Sequence, residues 1–190
     1  MPTTTGGSGS KLTYTDFLAF PDDGMRHELI DGVHYVTPSP VLPHQRVIGN
    51  VYFLLRRHLE DHAGGMVYVS PVDVVFTMFD VVVPDLLFIQ QRRQVIVGDK
   101  NIQGAPDLAI EVLSPGTRKR DEGVKLELYD RGGVTEYWVV DPIQELVRVY
   151  RRERGPLTLV AELLTSRNDT LRSPMFPDLA LGLGKIFSKS

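Results

Sequence analysis

The 190-residue sequence contains no cysteine. That removes disulfides, zinc–thiolate sites and thiol nucleophiles together, and it fits a reducing, cytoplasmic setting. Positive charge is not in excess either: 21 Lys and Arg stand against 24 Asp and Glu, a formal net charge of -3. A general basic coat for nucleic acid is therefore not expected, and any such contact has to come from a local patch. No run approaches the ~20 apolar residues of a membrane helix. The first residues lack the basic–apolar–small order of a signal peptide, so neither a membrane partner nor secretion is expected. Internal repeats and long linkers are also missing.

What is present is a 42% hydrophobic chain, enough for one domain with a substantial core. "MPTTTGGSGS", residues 1–10, reads as a disordered tail, and 11–190 as a single domain. "TYTDFLAFPDDG" suggests a short helix capped by Thr13 or Thr15. "HELIDGVHYV" is a hairpin around Asp31-Gly32, followed by the proline-rich loop "TPSPVLP". Val47, Ile48, Val51, Leu54, Leu55 and Leu59 recur at helical spacing from His44 to about His62, with Gly64-Gly65 as the stop.

"VYVSPVDVVFT" and "VVVPDLLFI" read as extended segments joined by a turn at "MFD". "DLAIEVL" is an apolar run of strand length, Arg118 to Arg131 reads as one helix, and "VTEYWVVD" as a further strand. "LVRVYRR" and "LTLVAELL" alternate like antiparallel strands with one wet face. A helix between two apolar strands predicts a right-handed crossover and a parallel pair. The pattern predicts an α/β fold: one mixed β-sheet flanked by helices, with extra antiparallel strands.

Asp85 and Glu111 lie inside these apolar segments. A carboxylate among Val, Leu and Ile needs a partner, because desolvation penalises its charged form. An Arg or Lys would serve, and so would a hard divalent ion, which prefers oxygen ligands. Lys125 falls on the flank of the buried face of its helix. It either pairs with Asp121 at i,i+4 on a wet surface or reaches the carboxylates. His44 and Gln45 open the long helix and are either surface residues or the lining of a cleft. Ser114, Thr117 and Arg118, at the start of the "RKR" cluster, are either a solvated face or contacts for a phosphate.

"VVPDLLF", "PDLAIEVLSP", the helix with Asp121, Lys125 and Tyr129, and "GVTEYWVVDP" together resemble the Uma-two restriction-endonuclease family, within the PD-(D/E)XK nuclease superfamily. "HELIDG", "PSPVLPHQ" and "NIQGAPDL" fit as well, so the resemblance runs from about Lys11 to Phe187. It implies a restriction-endonuclease-like core of four strands flanked by helices. Asp85 would match the metal-binding aspartate and Glu111 the acid of the (D/E)XK strand. Leu113 stands where that superfamily usually has its lysine, and Lys125 would match a migrated one. Glu28 would match an N-terminal acid that completes the site.

The implied activity is metal-dependent hydrolysis of DNA phosphodiesters by a homodimer. Asp85, Glu111 and the Val112 carbonyl would hold Mg²⁺ or Mn²⁺, and Lys125 would attend the attacking water. A non-catalytic binding module for nucleic acid or protein, on the same fold, is the alternative. A structural protein with ion-paired Asp85 and Glu111 is the third reading.

Overall fold

The computed structural model describes residues 10–38, 41–62 and 64–189. The tail expected at 1–10 lies, apart from Ser10, outside them, as do Ser39 and Pro40 of the proline-rich loop. The first half of the chain forms α1 (Tyr14–Phe17), β1 (Arg26–Ile30), β2 (Val33–Thr37), α2 (Leu42–Asp61), β3 (Gly65–Val69), β4 (Asp73–Thr77), β5 (Asp80–Val82) and β6 (Leu86–Gln90). Then come β7 (Asn101–Gln103), β8 (Leu108–Val112), α3 (Arg118–Asp121), α4 (Val124–Gly132) and β9 (Glu136–Asp141). The last part holds β10 (Leu146–Arg151), β11 (Thr158–Leu164), β12 (Thr170–Leu171), β13 (Leu181–Gly182) and α5 (Leu183–Ile186).

Local chemistry accounts for several boundaries. Thr13 caps α1 in a reciprocal box with Asp16. Asp31 and Gly32 both take positive φ, 53° and 73°, as a two-residue hairpin with a right-handed twist requires. Pro43 sits in the first turn of α2, where its missing N–H costs nothing. That helix ends at Asp61, and Gly65, expected to help stop it, instead opens β3.

The strands form two main sheets, where the sequence pattern suggested one. The six-stranded sheet has the order β11-β10-β9-β8-β6-β3, and the five-stranded sheet β2-β1-β5-β4-β7. β8 and β9 are parallel, joined through α3 and α4 as predicted, and the other pairs of the larger sheet are antiparallel. Each expected extended segment crosses between sheets in its middle. β3 belongs to the larger sheet and β4 to the smaller, while β5 belongs to the smaller and β6 to the larger. Pro71 and Pro84 explain the breaks: neither can donate to a ladder, so neither continues a central strand.

Two apolar layers cover the larger sheet. Leu108, Ile110 and Val112 of β8 pack with Val47, Ile48, Val51 and Leu55 of α2 and with Leu183 and Ile186 of α5. Ala109 packs on the other side with Leu128 and Tyr129 of α4 and with Ile30, Val74 and Val82 of the smaller sheet. Fully burying a side chain such as Leu55 contributes roughly 1.5–3 kcal/mol. Because successive strand residues alternate faces, Glu111 points to the second layer, toward α4 and the smaller sheet. Among the described residues no helix is long and apolar enough to cross a membrane.

Candidate active site

The β6–β8 register pairs Leu86 with Ile110, and continuing it one step sets Asp85 across from Glu111. Asp85 precedes β6 and is not inside a strand, because the Pro84 break falls immediately before it. Its Oδ2 accepts from the Val112 N–H at 2.8 Å and lies 3.2 Å from His44 Nε2. Its Oδ1 lies 2.5 Å from Arg26 Nη1.

The helix expected from Arg118 to Arg131 is broken between α3 and α4. Gly123, with φ −118° and ψ −101°, leaves the helical region there. After the break, Lys125, Leu128 and Tyr129 form the buried face of α4. Lys125 is therefore in the core, at 0% exposure, and not on the flank. Its Nζ lies 2.7 Å from Glu111 Oε1, 2.7 Å from Glu28 Oε1 and 3.8 Å from Asp121 Oδ1. Tyr129 donates its hydroxyl to Glu111 Oε1 at 2.7 Å. Glu28, on β1, also accepts from the Val83 N–H at 2.9 Å. Arg120 Nη2 lies 3.4 Å from Glu28 Oε2 and donates to Thr37 Oγ1 at 2.6 Å.

Four buried carboxylates, those of Glu28, Asp85, Glu111 and Asp121, thus face three permanent cations, Arg26, Arg120 and Lys125. Burial pushes Glu111 upward, Lys125 opposes it, and Asp121, Asp85 and Glu28 reinforce it, so its carboxyl is raised to about 7. Burial likewise raises Asp121. Burial also acts on Asp85, but the His44 hydrogen bond and the Arg26 charge outweigh it and lower the carboxyl to about 2. Burial disfavours the Lys125 ammonium, yet Glu111, Glu28 and Asp121 hold it above the ordinary lysine range, so it stays charged.

The donor set fits a hard divalent ion in kind: Asp85 and Glu111 offer carboxylate oxygens from facing positions of one sheet. In the arrangement described, protein cations neutralise those same oxygens, and among the described residues no three His, Asp or Glu side chains converge at metal-ligand spacing.

Of the expected substrate contacts, His44 is buried on Asp85, whereas Gln45 is exposed. Ser114 and Thr117 bond to one another, Oγ to Oγ1 at 3.0 Å, in the turn before α3. Arg118 is committed to Asp141 Oδ2 at 2.6 Å, at the end of β9. Sequence reasoning assigned no site role to Arg26, Asp121 or Tyr129, and read Arg120 only as part of the basic cluster. The Lys125, Tyr129 spacing of four was a usable signal for one face of α4. So was Arg26, two residues before Glu28 on the same strand.

The chain matches the family Uma2, described as "Putative restriction endonuclease", over residues 14–184. Among curated proteins, none matches. A solved structure of similar fold is that of "a putative nuclease belonging to DUF820" from Anabaena variabilis. It is 20% identical, with a TM-score of 0.78, covering 93% of this chain and 98% of that one. At that identity the likeness speaks for the fold alone. Because the sequence match spans nearly the whole chain, the chain belongs to the Uma2 family, on a restriction-endonuclease-like fold.

Proposed function

We propose that this chain is a divalent-metal-dependent endonuclease that hydrolyses DNA phosphodiesters, working as a single domain over residues 11–190 and as a homodimer. The observation that carries this reading is Lys125 Nζ at 2.7 Å from Glu111, with Asp85 facing Glu111 across the sheet. Asp85, Glu111 and the Val112 carbonyl would hold Mg²⁺ or Mn²⁺. Such an ion, when bound, lowers the pKa of a water and neutralises charge on a phosphate.

The protein's own residues have separate tasks in this reading. Lys125 holds its proton and acts as a fixed cation that orients a nucleophile and offsets phosphate charge. Glu28 and Tyr129 position it: one anchors the ammonium, the other fixes Glu111. His44, Gln45, Ser114, Thr117 and Arg118 are the proposed substrate contacts, from the start of α2 and from the turn that leads into α3. With a net charge of -3, DNA binding would rest on these local groups and fall steeply with salt.

A non-catalytic binding module is the second reading. The observation favouring it is Arg26 on Asp85, which leaves that carboxylate ion-paired. Arg26 and the burial of the cluster also keep a purely structural ion-paired role in play. A cleavage assay on plasmid and single-stranded DNA with Mg²⁺ or Mn²⁺ decides. Wild type should nick, and Glu111→Gln and Lys125→Met should not; equal activity in all three removes the proposed site. Light scattering of the eluted protein tests the homodimer.

A further inference from the structure

The cations of the carboxylate cluster are not equivalent. Lys125 is sealed, at 0% exposure, and holds three carboxylates of the cluster within 4 Å. Among the described residues, the Arg26 side chain instead touches one carboxylate, through Nη1, and its other hydrogen bond is a long one of 3.5 Å to the Val83 carbonyl. Its side chain is 17% exposed, while Asp85 behind it is 2% exposed. Arg26 therefore stands on the solvent side of the acid, at the outer edge of the cluster.

There is a place for it to go. Arg26 lines a hollow of about 230 Å³, together with Val83, His27 and Asp73. Asp73 opens β4, and by strand register lies beside Val83, one residue from Pro84 and two from Asp85. The Asp73 carboxylate makes no hydrogen bond or ion pair among the described residues, and burial raises its pKa. A guanidinium arriving there would supply the counter-charge that Asp73 lacks.

Building on the metal reading above, we propose that Arg26 is an exchangeable counter-cation. It neutralises Asp85 and yields that carboxylate to a divalent cation by moving into the hollow beside Asp73. Arg26 is then a positioning residue that sets metal affinity, because only the fraction of molecules with Arg26 displaced can accept the ion.

The test is Mn²⁺ titration by calorimetry on the full chain and its variants, which needs no catalysis. Asp85→Asn should abolish binding. Arg26→Met should bind about tenfold more tightly than wild type, as expected if one molecule in ten is open at rest. Arg26→Lys should fall between them, and Asp73→Asn should bind several-fold more weakly, since the alternative seat has lost its charge. Unchanged or weaker binding by Arg26→Met, with binding still dependent on Asp85, overturns the exchange and leaves the metal reading intact. No Asp85-dependent binding in any variant removes both. Should Arg26→Met not fold, Arg26→Lys and Asp73→Asn decide, and affinities equal to wild type overturn the exchange.

Discussion

Lys125 and Glu111, fourteen residues apart in the chain, meet at 2.7 Å with both side chains closed off from solvent. One comes from a helix core position and the other from the central strand it packs on. Breaking such a pair leaves an uncompensated buried charge, which costs about 3–5 kcal/mol. Lys125→Met should therefore lower the urea midpoint sharply. Adding Glu111→Gln should recover much of that loss, because a neutral amide needs no counter-charge. If the two substitutions are simply additive, the pair is not coupled as described.

The raised Glu111 carboxyl, about 7 against an ordinary 4.5, ties stability to pH in the metal-free protein. The native state keeps a proton that the unfolded chain gives up. The resulting contribution is complete below the unfolded value and is lost as pH rises through the folded one, so stability should decline across this window. The size is a few kcal/mol. Urea titrations at about pH 5 and about pH 8 should differ more for wild type than for Glu111→Gln. Equal pH slopes would show that another group carries the effect.

Tyr129 donates its hydroxyl to Glu111 Oε1, a bond that favours the ionised carboxylate over the protonated one. Tyr129→Phe should push Glu111 further upward and cost about 1.5–3 kcal/mol above neutral pH, the usual worth of a hydrogen bond to a charged group. The ascending limb of the pH–rate profile for plasmid nicking should move to higher pH. A fixed profile with lowered stability would confine Tyr129 to packing.

Away from the carboxylates, Gly132 ends α4 against Phe76. A methyl group there would sit 2.5 Å from two ring carbons. Gly132→Ala should destabilise by about 1–3 kcal/mol through overpacking, and Phe76→Leu in the same chain should relieve part of it. Thermal melts of the single and double variants read this directly; a silent Gly132→Ala would mean the ring moves freely.

Much of this arrangement is written locally. Asp31-Gly32 announced its hairpin, the spacing of Val47, Ile48, Val51 and Leu55 announced α2, and carboxylates set among Val and Ile at Asp85 and Glu111 announced buried acids in need of partners. The two-sheet plan was harder to see. Segments containing Ser70-Pro71 and Pro84 look continuous in hydropathy, and only the missing proline N–H shows that they break. Gly123 hid a helix break in the same way. The arginine partners were the least legible. Arg26 reaches Asp85 across 59 residues of chain, and Arg120 reaches Thr37 across 83. Nothing in a one-dimensional pattern says which acid a long guanidinium will find.

Only Val83, Pro84 and Asp85 join β5 of one sheet to β6 of the other. So short a tether has no slack. A pull on Asp85 is passed to the smaller sheet through its own backbone, and Glu28, which accepts from the Val83 N–H, is drawn along with it. Under the proposed metal reading, an ion at the carboxylates would load both sheets at once, through Asp85 at the head of β6 and through Glu28 on β1.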